Sequence, residues 1–347
     1  MAARTWRGEQ MRIGLLEAVG AYEWARAPAG GGAGLGLLTH SLERLEATVR
    51  AVKAALEEDG HLTMGIPVDD ELLPRISAAR PDMVFNTYFG PARRRDQAHV
   101  ASLMEMAGVP FTGGDATCHF IGLSKPHSKR IFTGAALPTP RFFVVEHAED
   151  TARFVERARM SYPMIVKTPA EGEGISIDAR SVAHSRDELE AAVERAIAAF
   201  DQPALVEELM TGREFTIGVI DGEHPQVLPI MEILLQGEET FTYQAKAHDA
   251  VKTVCPASLS AEDVAEMGRL AVRAGRAIGC RDYWRVDLRA DAQRTTRILE
   301  INTLPGLKPG YSDFTKMAPP AGLSYAELIR KILDSAMMRL KRPAPDG

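Results

Sequence analysis

Glu300 and Asn302 stand two residues apart in the otherwise apolar run "RILEIN". Side chains of a strand alternate with a period of two, so this spacing puts a carboxylate and an amide on one face. Upstream, "YWRVDLRAD" repeats the arrangement with Arg285 and Asp287. The polar stretch "DAQRTT" predicts a turn that folds the two runs antiparallel, bringing the oxygen-bearing side chains of Asp287, Glu300 and Asn302 together beside a guanidinium. Such hard donors suit Mg²⁺, which takes few carboxylates and fills its octahedron with phosphate oxygens and water. A phosphorylated substrate is therefore expected. A half-buried strand with a solvated edge is the simpler account of one such pair, but not of two pairs on adjoining strands followed at once by "TLPG".

Partners for the phosphates lie upstream. Lys167 closes the apolar "MIVK" immediately before "TPAEGEG", so a fixed cation borders a loop of unobstructed backbone N–H groups. Lys129 in "KPHSKR" and Lys246 in "YQAKAH" add charge, although each alone reads more simply as a solvated lysine. In "ALVEELMTGREFTIGV", Glu207 and Glu208 follow a short strand and Glu214 opens another. Carboxylates so placed accept from an adenine amine or a ribose hydroxyl.

The elements that must position these groups are visible as periodicities. "MRIGLLEA" predicts a buried strand and "SLERLEATVRAVKAALEEDG" a helix. "DELLPRISAARPDMVFNTYFG" predicts a short helix and a strand ending at Asn86 to Tyr88, and "DQAHVASLMEMAGVPFTG" a helix and a strand. Together they form an open α/β sheet, which binds ligands beyond the carboxyl ends of its strands. The glycines between Gly30 and Gly36 come too long after the first strand for a dinucleotide fingerprint and lack an acidic ribose partner, so a flexible or ligand-shaping loop is expected. Beyond "SKPHSKRIFTGAALPTPRFFVV" the order becomes strand, Gly-rich loop, strand, helix, then a series of strands through "PIMEIL". That mixed α+β order suits a nucleotide-clamping unit. "SAEDVAEMGRLAVRAGRAIG" and "SYAELIRKILDSAMMRLKR" read as helices, and "PAPDG" as a disordered tail. The resulting division is an N-terminal α/β substrate domain over residues 1–125, a central subdomain over 126–214 and a C-terminal subdomain over 215–347.

Composition sets the outer limits. A chain of 347 residues with 45% hydrophobic content buries sizeable cores without staples. A net charge of −6 gives no bulk attraction for nucleic acid or an anionic membrane. Cys118, Cys255 and Cys280 show no CxxC spacing and read as buried thiols. No run approaches the ~18 apolar residues of a membrane span, so a cytoplasmic, soluble protein is expected.

"VKTPAEG", "VEELMTGREFTIGV", "RVDLRAD" and "LEINTLPG", in this order, carry a family resemblance. From "GVPFTG" to "AGLSYAELIRKIL" the chain resembles the D-alanine–D-alanine ligase branch of the ATP-grasp superfamily. The resemblance implies an ATP-grasp fold and a ligase that phosphorylates a carboxylate with ATP and passes the acyl group to an amine. By motif position, Lys129 and Lys167 resemble the family's phosphate contacts and Lys246 its terminal-phosphate lysine. Glu207 and the backbone near Met210 resemble its adenine contacts, and Glu214 its ribose contact. Asp287, Glu300 and Asn302 match the ligands of two Mg²⁺ ions, with Glu300 bridging and Mn²⁺ able to substitute. Arg285 and the Gly306 N–H match the groups around the reacting carboxylate, and Ser312 joins the substrate candidates. A homodimer is implied as well.

The departures concern the first substrate. "LLEAVGAYEWARAPAGGGAG" lacks the family's Ser and Glu, "NTYFGPARRRDQAHV" replaces its His-Gly and Gly-Glu-Asp-Gly segments, Glu173 stands where a Ser belongs, and Ala247 where a Tyr belongs. The ATP chemistry is kept while the pocket is rebuilt, which predicts substrates other than two D-alanines. An authentic D-alanine–D-alanine ligase, a ligase with an acceptor other than an amino acid amine, and an ATP-binding module without turnover are the alternatives. Arg93, Arg94 and Arg95 follow a strand at the carboxyl-end loop, either as a solvated basic loop or with a guanidinium paired to a substrate carboxylate or phosphate. With Glu173 positioned for an ammonium or hydroxyl, the arginines predict a first substrate more polar than alanine and carrying an additional acidic group.

Overall fold

β1 (Arg12–Ala18), β2 (Leu62–Val68) and β3 (Met83–Phe85) form a parallel sheet in the order β2-β1-β3. β1 is buried from Ile13 to Leu16, on both of its faces, which is why it reads as a continuous apolar run rather than an alternation. The computed structural model describes residues 10–18, 33–91, 93–169, 178–235, 252–291 and 295–341. β2 was not anticipated from sequence, since Gly65 and Pro67 interrupt its pattern. The strand expected in "GVPFTG" shrinks to a single bridge between Phe111 and Val84, next to Pro110, which has no N–H to extend the ladder. β3 likewise stops at Phe85, where side chains take over: Asn86 N donates to Thr112 Oγ1 (2.9 Å) and Tyr88 N to Asn86 Oδ1 (3.0 Å). The helix Ala33–Glu58 begins earlier than periodicity suggested, so Gly34 and Gly36 belong to it rather than to a loop, and residues 30–32 lie outside the described residues. The C-terminal helix Tyr325–Lys341 packs on it, and its buried Leu328, Ile329, Ile332 and Leu333 share one core with Ile13, Leu16, Leu45 and Val52. The first sheet thus draws its core from both ends of the chain.

The second sheet comprises β4 (Phe142–Val145), β5 (Met164–Lys167), β6 (Val182–Ala183) and β7 (Ala204–Glu208), in the antiparallel order β4-β7-β5-β6. The helix Arg186–Phe200, capped by Ser185 accepting from Glu188 N, covers it. Glu207 and Glu208 are the last residues of β7 instead of following it.

The third sheet holds β8 (Glu214–Ile220), β9 (Gln226–Val227), β10 (Met231–Leu234), β11 (Lys252–Val254), β12 (Tyr283–Ala290) and β13 (Thr296–Asn302), in the order β11-β10-β8-β12-β13 with β9 on β8. The helix Ala261–Ile278 starts at a Ser260 cap and ends at Gly279 with φ 83°. It lies close on β12: a Cβ at Gly275 would come within 2.1 Å of the Trp284 ring, and Trp284 Nε1 donates to Ala271 O (3.1 Å). Residues 170–177, including Glu173, residues 236–251, including Lys246 and Ala247, and the tail 342–347 lie outside the described residues.

Candidate active site

β12 and β13 pair antiparallel as the intervening turn predicted, with Arg285 opposite Asn302 and Asp287 opposite Glu300. The next pair is Leu288 with Ile298, so Leu299 is an extra residue in β13, a β-bulge. Strict alternation would put Ile298 on the face of Glu300 and Asn302. The bulge frees it: Ile298 and Ile301, three residues apart, are both buried in the same core, while Glu300 and Asn302 stay out of it.

Asp287 is held firmly. Arg285 donates to it through two nitrogens, Nε to Oδ1 and Nη2 to Oδ2, both at 3.0 Å, and Thr216 Oγ1 on β8 donates to Oδ1 at 2.5 Å. Asp313 lies 3.7 Å from another nitrogen of the same guanidinium. Burial works against the charge on Arg285, but Asp287 and Asp313 outweigh it and hold its pKa above the ordinary arginine value. Glu300 is the more open carboxylate, its side chain 38% exposed, with Lys125 Nζ at 3.4 Å. Asn302 Oδ1 accepts from Leu304 N at 3.2 Å, which turns the chain after the strand.

These residues fit a magnesium site by their donor chemistry. Among the described residues no group of three His, Cys, Asp or Glu converges, as a dedicated all-protein cage would require. Two carboxylates from cross-strand partners, with one amide two residues further along β13, form instead the sparse oxygen set on which Mg²⁺ sits when phosphate and water supply the rest.

At the other end of the site Glu207 binds two lysines at once. Its Oε2 is 2.7 Å from Lys167 Nζ, and its Oε1 is 2.6 Å from Lys129 Nζ in a contact that is Coulombic rather than a well-directed hydrogen bond. Glu207 is 1% exposed and Lys129 fully buried. Burial alone would raise the carboxyl's pKa, but the two ammonium groups bring it down to about 2. Burial lowers the pKa of Lys129 despite Glu207, whereas for Lys167 Glu207 prevails and raises it. Lys129 Nζ also donates to Thr139 Oγ1 (2.9 Å), which donates to Ile298 O (2.8 Å), joining the clamp to β13. In this structure both oxygens of Glu207, the acceptor expected for an adenine amine, face lysines. Glu208 is tied to Arg141 instead, at 2.5 Å.

The remaining candidates divide. Glu214, opening β8 as expected, lies 3.7 Å from Arg289, its cross-strand partner on β12, and both are buried. Met210 is buried just after β7. Gly306 is exposed with Ser312 beside it, since a Cβ there would meet Ser312 Oγ at 2.8 Å. Ser312 Oγ accepts from Lys308 N (3.1 Å). Arg93 pairs with Asp96 (3.1 Å), and Arg95 is exposed at the start of the helix Asp96–Met106, so neither is gathered with the others; Arg94 is half-buried.

Sequence reasoning missed Lys125, although it stands four residues before Lys129 on the helix Lys125–Gly134, the spacing that aligns side chains on one face. Thr216, two residues after Glu214, was also within reach of alternation. A third group left no local signal. Gln97 Nε2 lies 2.9 Å from His119 Nδ1 and 3.2 Å from Thr303 Oγ1, and His119 Nδ1 lies 2.8 Å from the same hydroxyl, all buried behind Asn302. Burial lowers the His119 pKa to about 4, so the imidazole is neutral.

With this geometry described, comparisons place the chain. The family profile described as D-ala D-ala ligase C-terminus matches residues 131–334. The chain is 32% identical to a D-alanine–D-alanine ligase of Synechococcus over 311 residues, covering 86% of this chain and 92% of that one. It is 33% identical to the uncharacterized protein y4sG of Sinorhizobium fredii over 301 residues, covering 83% and 87%. Among solved structures, the D-alanine–D-alanine ligase of Bacillus anthracis complexed with ATP superposes with a TM-score of 0.72 at 22% identity, covering 95% of this chain and 99% of that one. The VanG D-Ala:D-Ser ligase of Enterococcus faecalis gives 0.69 at 19%, covering 94% and 100%. The shared fold is ATP-grasp, and the chain belongs to the D-alanine–D-alanine ligase family of ATP-dependent ligases that form C–N bonds.

Proposed function

We propose that this protein joins a carboxylate to an amine through an acyl phosphate, and that its first substrate is not D-alanine. One turn of helix carries the reading. Lys125 reaches Glu300 at 3.4 Å and Lys129, on the same face, reaches Glu207 at 2.6 Å, so phosphate-binding cations and oxygen donors for a metal adjoin. Lys129 and Lys167 hold the phosphates of ATP, joined by Lys246, while Glu207, the backbone near Met210 and Glu214 line the nucleoside end. Asp287, Glu300 and Asn302 would hold Mg²⁺, as two ions replaceable by Mn²⁺ in this proposal, and the metal would neutralise charge on the transferring phosphoryl group. Arg285 and the Gly306 N–H stabilise the oxyanion that forms when the amine attacks. Preorganisation supports that role, since Arg285 is already fixed by Asp287 and Asp313.

The rebuilt first-substrate pocket rests on Glu173, Ala247 and the Arg93–Arg95 segment. The proposal extends to a homodimer of three-part protomers divided near residues 125 and 214, acting in the cytoplasm, where ATP is available. Among the described residues no helix is long and apolar enough to cross a membrane. The names of relatives at 30–32% identity favour a second reading, D-alanine–D-alanine ligation. Purified protein given ATP, Mg²⁺ and pairs of amino acids, with ADP release and product mass followed, decides between them. Turnover with a pair other than two D-alanines is expected. D-alanine as best substrate on both sides, at ~10⁴ M⁻¹s⁻¹ or above, would overturn the rebuilt pocket.

A further inference from the structure

The three consecutive arginines differ once folded. Arg93 is spent on Asp96, at 3.1 Å, and Arg95 is exposed. Arg94 is half-buried, and its guanidinium has no carboxylate partner among the described residues. Its place is fixed by the helix it precedes. Gln97 N donates to Arg94 O (3.2 Å), and the Gln97 side chain is anchored on Thr303, the residue after Asn302. The turn is therefore pinned beside the Glu300 and Asn302 end of β13. Lys125 arrives at the same end from another direction: its backbone N donates to Pro169 O (3.1 Å) and its ammonium reaches Glu300. After burial and the attraction of Glu300, the largest influence on the Lys125 ammonium is repulsion by Arg94, ahead of that from Lys167. Arg94, Lys125, Lys129 and Lys167 thus share one region of the site with Glu207 and Glu300.

We infer that Arg94, backed by Lys125, is a specificity-determining anion subsite that reads a second acidic group, carboxylate or phosphate, on the first substrate. The inference rests on the proposed carboxylate–amine ligation with a first substrate other than D-alanine, and it narrows that substrate to an amino acid with an acidic side chain. A planar guanidinium without a carboxylate partner among the described residues is suited to a bidentate pair with such a group. Lys125, already engaged by Glu300, supplies field rather than the principal contact.

The test compares isosteres that differ in charge. ADP release is measured with aspartate against asparagine, glutamate against glutamine, and O-phosphoserine against serine, each as both enantiomers, with a panel of amine acceptors. Binding of the same compounds and of ATP is followed by calorimetry. The wild-type protein should favour the charged member of at least one pair by roughly tenfold or more, the size of one charge-assisted hydrogen-bonded contact. The carboxylate and phosphate pairs tell which acid is read. Arg94→Met should collapse that ratio, Arg94→Lys should restore part of it, and Arg94→Glu should turn preference toward ornithine or lysine, a reversal that lost packing alone would not produce. An unchanged ratio in Arg94→Met, or a loss of ATP affinity with the ratio intact, would overturn the inference. A wild-type preference for neutral substrates other than alanine would overturn it while sparing the parent reading. A preference for D-alanine on both sides would overturn both.

Discussion

The two ends of the candidate site hold charge in opposite ways. Around Glu207 the charges are sealed: Lys129 is fully buried, Glu207 is 1% exposed, and each ion has its counter-ion within 2.7 Å. Around Glu300 the carboxylate is 38% exposed, and its lysine stands off at 3.4 Å. Burying charges is costly, and only close pairing offsets it. The sealed end therefore sets its cations in place during folding, at the expense of stability should any member be lost. The open end keeps a carboxylate whose partner can be exchanged. In a phosphoryl-transfer site the first arrangement suits groups that must not move, and the second suits donors that accept a metal with each nucleotide.

The contrast is easiest to break at the open end. Glu300→Gln keeps the volume and the half-exposed setting, so the thermal midpoint should stay within about 2 °C of wild type, as for surface substitutions. Turnover should nevertheless fall on the order of 10³-fold. ATP consumption near the wild-type rate, under saturating substrates, would show that the metal ligands lie elsewhere. Glu207→Gln should behave in the reverse manner. It strands two buried lysines and should lower unfolding free energy by about 3 kcal/mol in urea titrations, with weaker ATP binding following from the displaced ammonium groups. A stable variant with intact ATP affinity would refute the clamp.

Acid sharpens the comparison with a smaller effect. The Glu207 carboxyl is depressed from 4.5 to about 2, so its contribution is complete above pH 4.5 and is lost only as the pH falls toward 2. His119 is depressed from 6.5 to about 4, so the unfolded chain takes up a proton below pH 6.5 that the buried imidazole refuses. That difference should remove about 2 kcal/mol between pH 6.5 and 5. The support behind Asn302 and Thr303 should therefore weaken well before the lysine clamp does. Denaturant midpoints measured across this range should show the slope in wild type and a flatter profile in His119→Asn; equal slopes would place the acid sensitivity in another group.

Much of the open end was legible because its logic is local. Arg285, Asp287, Glu300 and Asn302 follow from alternation and one turn, and the structure pairs them as that argument requires. The sealed end was legible only as a list of charged residues. Nothing within "ALVEE" says that Glu207 will meet a lysine from a helix begun at residue 125, because that contact is made by tertiary packing. The fold shows the same division. Most helices were readable from periodicity, whereas β2 was hidden by Gly65 and Pro67, and the strand at Phe111 was overpredicted because Pro110 interrupts an otherwise apolar run.

The bulge at Leu299 also bears on how such a protein can change over generations. Point substitutions along β13 can retune the donors one at a time, since each side chain keeps its own face. Loss of a single residue there would restore strict alternation, and that one step would carry Ile298 into the solvated cavity or Glu300 and Asn302 into the hydrocarbon core. Variation in this strand is thereby channelled toward exchange of side chains and away from change of length, so a lineage can explore new ligands while the ledge that presents them stays fixed.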